Sequence, residues 1–438
     1  MREASKSIII QENVAFSART DVGKIRDHNE DNFLVDKSLN LFVVADGMGG
    51  HLAGEVASAM AVNYLRDAVQ ENTVLLQKFN MDEVETDKLP EVRQHVCEIM
   101  EEAVKRSSRK IWEEAQTDDA KRGMGTTLSA LLIAGAYGFI AHVGDSRIYL
   151  LRGDNVRQLT EDHTLLNYLL KEGKITAEQA PSVKKNAVTR AVGVYETVDV
   201  DIVSFDIVPG DQFLLASDGL TTYLDVAEIP PFLTEEDLDT VPDRFIGLAN
   251  ERGGKDNITS VVVRIIDVEG VAKERCTQLD LRIETLGKIP MFRYLKYNEL
   301  LKIFARMTHL TLPAGSTLIE EGTQGDDMFV IVSGEVKVHS KDAAIAVLKE
   351  GDHFGEMSLI DKAPRSASVT STKPTTLLKM SSKDFFAMIR KESDTAKKVL
   401  WNFLQVLSFR LRQTNLELKG ALEIRQFEDL SAEIIGDD

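Results

Sequence analysis

Leu41-Phe42-Val43-Val44-Ala45-Asp46-Gly47-Met48-Gly49-Gly50-His51 is the stretch on which the fold of this chain turns. Its five opening apolar residues, rich in β-branched and aromatic types, predict a strand buried on both faces. The run ends in an acid and then three glycines within four residues. Glycine tolerates positive φ and lets other groups come close to the backbone. Asp46 is therefore presented at the mouth of a sheet, with the Gly47 carbonyl accessible beside it. Taken alone, an Asp-Gly step is an ordinary turn between a strand and a helix.

The pattern recurs. Tyr137 to Val143 is followed by Gly144-Asp145-Ser146-Arg147, and Phe213-Leu214-Leu215-Ala216-Ser217 by Asp218-Gly219. Asp256-Asn257 precedes the run Ile258 to Ile266, and Glu30 and Asp31 close a dense polar run that starts at Gly23. A sheet that gathers these ends would crowd the carboxylates, and each would raise its neighbours' pKa. A divalent cation relieves that crowding. Oxygen ligands without Cys or an obvious His select hard ions, Mg²⁺ or Mn²⁺, over zinc. Two such ions sharing a carboxylate lower the pKa of a bridging water and clamp a phosphoryl group for in-line attack. Spacing alone leaves two readings open, a gathered cation site or separately solvated turn acids.

The chain has 438 residues, which predicts about two or three domains. Apolar content of 43% and charged content of 28% are ordinary for a soluble globular protein. A formal net charge of −18 argues against nucleic acid or an anionic membrane as a partner. Cys97 and Cys276 lie far apart and match no CxxC pattern. No apolar run of about 18 residues and no basic-then-apolar start is present, so a cytoplasmic protein is expected.

Around the opening stretch, residues 13–20 read as a first strand and 52–72 as a helix. Residues 91–116 form a second helix, with Val92, Val96, Ile99 and Ala103 at amphipathic spacing. The acidic 73–90 reads as a surface loop or helix end. Gly123-Met124-Gly125-Thr126-Thr127 opens an antiparallel meander of runs at 128–134, 137–143 and 148–151. Residues 160–193 read as helical and mobile, with Gly173 and Pro181 as breakers. The domain boundary is expected in the polar stretch after 267, with a linker over 268–285. Residues 286–310 read as helical from Pro290. Short strands with glycine turns follow from Leu312 and suggest a jelly roll. Helices run from Ser382 to about Leu418, and an acidic tail at 419–438 is expected to be loose.

The ordered set Arg26…Asn29-Glu30-Asp31, Asp46-Gly47-Met48-Gly49-Gly50-His51, Gly123-Met124-Gly125-Thr126-Thr127, Gly144-Asp145-Ser146-Arg147, Leu159-Thr160-Glu161-Asp162-His163, Thr189-Arg190-Ala191-Val192-Gly193, Ser217-Asp218-Gly219 and Asp256-Asn257 resembles the bacterial PPM-type (type 2C) protein phosphatases. The resemblance covers 13–266. It implies an α+β fold whose N-terminal domain, 1–267, is an α/β-β/α sandwich, and hydrolysis of phosphoserine and phosphothreonine in proteins. Asp46 would bridge two Mn²⁺ or Mg²⁺ ions, with Gly47 lending its carbonyl. Asp218 and Asp256 would complete one shell, while Glu30 would hold water on the other and Asp31 would join the metal-site acids. Asp145 with Asp218 would belong to a third ion's site. Asp46 and Asp218 thereby carry catalysis, and Arg26 would clamp the phosphate as a bidentate fork. The alternative for Arg26 is a surface ion pair with its acidic neighbours. Animal members place a histidine two residues after the bridging aspartate as a proposed acid. Here that position is Met48, and His51 is a weaker candidate than metal-held water. Residues 164–187 would form a variable flap beside the site.

Phe354-Gly355-Glu356-Met357-Ser358-Leu359-Ile360 and Ala363-Pro364-Arg365-Ser366-Ala367-Ser368-Val369 carry a second chemistry. A glycine at a helix start frees N–H groups for an anion, Glu356 can accept from a ribose hydroxyl, and Arg365 can pair a phosphate. The stretch, with the Ile331 to Val336 hairpin before it, is similar to the phosphate-binding cassette of cyclic-nucleotide-binding domains; the resemblance spans about 286–415, and the domain is expected over 286–418. It implies a β jelly roll with flanking helices, and a nucleotide held by Gly355, Glu356, Met357, Ser358, Arg365, Ser366 and Ala367, with cAMP favoured over cGMP. Expected partners are phosphoserine and phosphothreonine proteins, a bacterial serine/threonine kinase among them, and a second copy of the chain as a homodimer, with no nucleic acid and no membrane. A catalytically silent scaffold that binds phosphoprotein and nucleotide is the alternative.

Overall fold

The computed structural model describes residues 13–49, 53–80, 88–176, 178–180, 187–266, 272–341, 343–361, 363–391 and 393–435. The chain divides into two compact units, Met1–Asp280 and Leu281–Asp438. His51 and Gly50 lie outside the described residues, as do 177 and 181–186 of the expected flap and 81–87.

The strands of the first unit are β1 (Val14–Asp21), β2 (Asp31–Asp36), β3 (Leu41–Met48), β4 (Gly125–Thr126), β5 (Leu128–Ala134), β6 (Tyr137–Val143), β7 (Arg147–Arg152), β8 (Asn155–Gln158), β9 (Asp201–Asp206), β10 (Gln212–Ala216) and β11 (Ile258–Ile265). They form two antiparallel sheets, one ordered β2-β3-β5-β6-β9 with β4 on the end of β3, the other β1-β11-β10-β7-β8. Period-two alternation divides β3 between two cores. Leu41, Val43 and Ala45 face Ala57, Leu65, Val96 and Met100, on the helices Ala53–Glu71 and Leu89–Ala115. Phe42 points the other way and meets Phe16 of β1, with ring centroids 5.7 Å apart. Phe205 on β9 and Phe213 on β10 repeat that bridge between sheets. The outer face of the second sheet, with Leu214, Ala216 and Val262, packs on Ile229, Val241, Phe245 and Ala249. The layers are therefore helix, sheet, sheet, helix. Each fully buried Val, Leu or Phe in them contributes about 1.5–3 kcal/mol.

The second unit has β12 (Thr308–Leu312), β13 (Thr317–Ile319), β14 (Asp327–Ser333), β15 (Glu335–Ser340), β16 (Ala343–Lys349), β17 (His353–Phe354), β18 (Ser368–Ser371) and β19 (Thr375–Ser381). Two four-stranded sheets, β12-β19-β14-β17 and β13-β18-β15-β16, close on Ile319, Phe329, Ile331, Val336, Phe354, Val369 and Leu377. The turn between β14 and β15 is made by Gly334 at φ +99°, a conformation that favours glycine.

Several elements differ from the sequence reading. Between 160 and 193 the described helix is confined to Leu165–Lys171, because Gly173 at φ +64° turns the chain and Lys174 N–H closes on Leu169 O. A helix Thr73–Asn80 occupies part of the expected loop. The stretch read as a linker contains the helix Ala272–Lys288, and Pro290 starts a single 3₁₀ turn, Pro290–Phe292, before the helix Tyr297–Phe304. The tail expected to be loose is helical through Ile435, as part of Ser393–Ile435. Its polar composition suits a solvated helix as well as a coil, and composition alone does not separate them.

Candidate active site

β3 carries the site. Asp46 is paired across the sheet with Asp31, the first residue of β2, so the two side chains stand on one face of the pleat. Gly47 and Met48 continue β3 by pairing with Thr126 and Gly125. A Cβ on Gly47 would fall 2.2 Å from Gly54 O and 2.6 Å from Glu30 O, which is why only glycine fits where the helix start meets the strand. Its N–H donates to Glu30 O at 3.2 Å. Asn257 ties the neighbouring loops together. Its Oδ1 accepts from Glu30 N–H at 2.8 Å, and its Nδ2 donates to Val22 O and His28 O. Asp256 is thereby held next to the Glu30 turn, and Asp218 opens a short helix, Asp218–Thr221, after β10.

Asp31, Asp46, Asp145, Asp218 and Asp256 share one electrostatic field. Burial is the main cause that pushes Asp46 well above its ordinary pKa, and Asp31, Asp218, Asp145 and Asp256 raise it further. Burial pushes Asp31 up to about 7, against a 2.6 Å hydrogen bond from Thr259 Oγ1 to its Oδ2. Asp145 is pushed to about 7 by burial and by Asp218. Asp218 is raised by burial and by Asp256, while a side-chain hydrogen bond with Asp46 opposes the shift. Asp31 Oδ1 is buried without a hydrogen-bond partner among the described residues. Glu30 is raised more modestly, chiefly by burial. Among the described residues no three His, Cys, Asp or Glu side chains close into a ready-made metal cage. The donor set is nonetheless oxygen-only, buried and short of positive charge, as a hard dication requires.

A raised carboxyl pKa binds its proton more tightly in the folded than in the unfolded state. The folded form therefore has its full advantage below the unfolded value and loses it progressively as pH climbs from there through the folded value. For Asp31 and Asp145 the loss spans about pH 4 to 7. Metal-free protein in chelator should accordingly melt about 5 °C or more lower at pH 8 than at pH 5.5. Mn²⁺ should shrink that gap. Calorimetry showing no pH dependence would mean that burial and the neighbouring acids do not raise these carboxyl groups.

Arg26 stands at the rim, with 48% of its side chain exposed and Nη2 2.8 Å from Asp256 Oδ2. Thr127 is a residue whose role the sequence reading missed. Its hydroxyl accepts from Asp46 N–H at 2.9 Å and is hydrogen-bonded to Ser146 Oγ at 2.8 Å, which joins the Asp46 strand to the Asp145 turn. A signal was present in Thr126-Thr127 directly before an apolar run.

In the second unit, Gly355 at φ +79° lets the chain turn into Met357–Asp361. Glu356 is 2% exposed and Ser358 5%, whereas Met357 and Ser366 are exposed and Ala367 is half-buried. Arg365 reaches back across the cassette, with Nη1 to Ser358 Oγ at 2.5 Å and Gly355 O at 3.2 Å, and Nη2 to Asp327 O at 2.8 Å. A cavity of about 290 Å³ adjoins it, lined by Leu318, Phe329, Gln324, Asp327 and Lys379. Unforeseen from sequence, Arg410 of the helix Ser393–Ile435 is ion-paired with Glu356 and also donates to His353 O. That contact spans more than fifty residues, and no local pattern announces it.

A family model described as Protein phosphatase 2C matches residues 25–258, and one described as Cyclic nucleotide-binding domain matches 309–392. The chain is 44% identical over 250 residues to a Listeria innocua serine/threonine phosphatase, stp, covering 56% of this chain and 93% of that protein. It is 38% identical over 252 residues to the Streptococcus pneumoniae protein phosphatase PhpP, covering 56% and 96%. The crystal structure of the Mycobacterium tuberculosis serine/threonine phosphatase PstP/Ppp superposes with a TM-score of 0.50 at 32% identity, covering 58% of this chain and 99% of that one.

Proposed function

The chain belongs to the protein phosphatase 2C family and is a protein serine/threonine phosphatase carrying a cyclic nucleotide-binding domain, and on that premise we propose how its residues divide the work. Asp46 and the Gly47 carbonyl would hold two Mn²⁺ or Mg²⁺ ions between them, Asp218 and Asp256 would serve one, Glu30 would hold water on the other, and Asp31 would join the metal-site acids. Asp145 and Asp218 serve a third. The ions, when bound, supply an activated water and neutralise the phosphoryl group. The observation that carries this reading is the Asp31–Asp46 pair across the sheet, set in a field of buried acids that a dication would relieve all at once. Arg26 is free to exchange its exposed Asp256 partner for a phosphoryl oxygen, and its planar fork sets the orientation of the group.

Regulation is the finer part of the proposal. A cyclic nucleotide, cAMP in preference to cGMP, binds through Glu356, Arg365 and the residues around them, and raises activity. In the present structure Arg410 holds Glu356. A ribose hydroxyl competing for that carboxylate would release the C-terminal helix, and a ligand shifts such an equilibrium only through its preference for one state. Substrates are phosphoserine and phosphothreonine proteins, among them a serine/threonine kinase.

The test is hydrolysis of a phosphothreonine peptide by the full chain in chelator, then with Mn²⁺ or Mg²⁺, then with cAMP or cGMP. Activity should vanish in chelator, return with either ion and rise with nucleotide, and a thiol alkylator should leave it unchanged. Undiminished turnover after exhaustive chelation would overturn the metal reading. A flat response to both nucleotides, with binding intact, would overturn the regulatory one.

A further inference from the structure

His163 is 8% exposed and grips the residue that precedes Asp145 from both sides of its peptide. Its backbone N–H donates to Gly144 O at 2.7 Å, and its Nδ1 accepts from Gly144 N–H at 3.1 Å. Nε2 faces both Asp201 Oδ2 and Arg190 Nη1 at 3.3 Å, and Arg190 Nη1 also donates to Asp201 Oδ1 at 3.1 Å. The ring packs on buried His142, with centroids 4.9 Å apart.

The opposite side of the same turn is closed as well. Gly144 has φ +113°, and a Cβ there would sit 2.5 Å from Thr127 Cβ. Asp145 is thus suspended between Thr127, which also holds Asp46, and His163. The carbonyl of His163 accepts from Thr189 N–H at 2.7 Å and from Thr189 Oγ1 at 3.0 Å. Leu165 N–H donates to Ala187 O, and Thr164 bridges Val188. Both ends of the 164–187 segment therefore root at His163. We infer that His163 is a positioning residue which fixes the Asp145 carboxylate for a divalent cation and ties that carboxylate to the root of the flap. The inference rests on the metal-dependent reading above.

The test is calorimetric Mn²⁺ titration of the full chain, which needs no turnover. Groups that orient ligands typically matter by about 10–100-fold in metal affinity. His163→Leu should weaken the weakest Mn²⁺ site by about that factor, and His163→Asn, which returns an acceptor near the Nδ1 position, should recover most of it. Asp145→Asn should show the same loss, and the double variant should match Asp145→Asn alone, because coupled residues are not additive. A folded His163→Leu protein with the wild-type isotherm, or additive losses in the double variant, overturns the inference. If the leucine variant does not fold, His163→Gln, which reaches toward Asp201 rather than Gly144, is compared with His163→Asn, and equal isotherms overturn it. Asp46→Asn is the control on the premise. Mn²⁺ binding untouched by that change removes the metal reading itself.

Discussion

Asp218→Asn is expected to lower turnover of a phosphothreonine peptide about a hundredfold or more in saturating Mn²⁺, since removing a preorganised electrostatic element typically costs 10²–10³ in rate. The substitution is nearly isosteric, and an amide cannot supply the negative charge that holds a hard dication. Asp218 interacts with Asp46 and Asp256 at once, so its charge serves more than one partner. The same field makes a second, opposite expectation. In chelator the variant should melt no lower than the wild type, because a buried, crowded carboxylate has been replaced by a neutral group. Loss of activity with retained or raised metal-free stability separates a metal-holding role from a folding role. Unchanged turnover in Mn²⁺ would sink the proposed mechanism.

How far the sequence carried the reading depends on the range of each signal. The β3 strand was legible because five apolar residues in a row admit few alternatives, and its division between two cores follows from period two once a second sheet exists. The acids at 46, 145, 218 and 256 were legible because glycine or a strand end marks each one. Their mutual interaction was not, since it depends on Asp31 and Asp46 falling opposite each other across a register that only the folded sheet defines. Thr127 and His163 were quoted within motifs, yet their work is done on Asp46 and Gly144, far away in the chain. The region 160–193 reads as helical with breaks at Gly173 and Pro181, and its described α-helix, Leu165–Lys171, is shorter than that reading but does end at Gly173, a glycine in the left-handed region. The helix beyond 419 was missed for a different reason. Its acidic residues drew the reading toward a loose tail, although Ile424, Phe427, Leu430 and Ile434 recur at helical spacing.

Arg365→Ala should weaken binding of cAMP and cGMP to the full chain by about thirtyfold to a few thousandfold, the equivalent of the 2–5 kcal/mol typical of truncating one partner in a buried charge pair. Arg365 is buried, and burial is the main influence that lowers its pKa, opposed by Asp327, Asp326 and Glu356. An anion arriving there meets a guanidinium already stripped of water, which makes the pairing worth more than at a surface. Without ligand the same side chain holds Ser358, Gly355 and Asp327, so alanine also loosens the cassette. Arg365→Lys separates the two effects, because it keeps the charge and loses the fork, and its affinity should fall between those of alanine and wild type. Arg410→Ala should move the other way. Its side chain is 44% exposed but Glu356 is buried at 2%, so alanine costs some stability by leaving a buried carboxylate without its ion partner, and it removes a competitor for the ribose hydroxyl. A few-fold gain in nucleotide affinity is expected, on the order of one charge-assisted hydrogen bond traded for another. Calorimetric titration of the three variants checks all of this at once. Wild-type affinity in Arg365→Ala would show that the cassette does not hold the phosphate, and weaker binding in Arg410→Ala would show that the C-terminal helix clasps the ligand rather than competing with it.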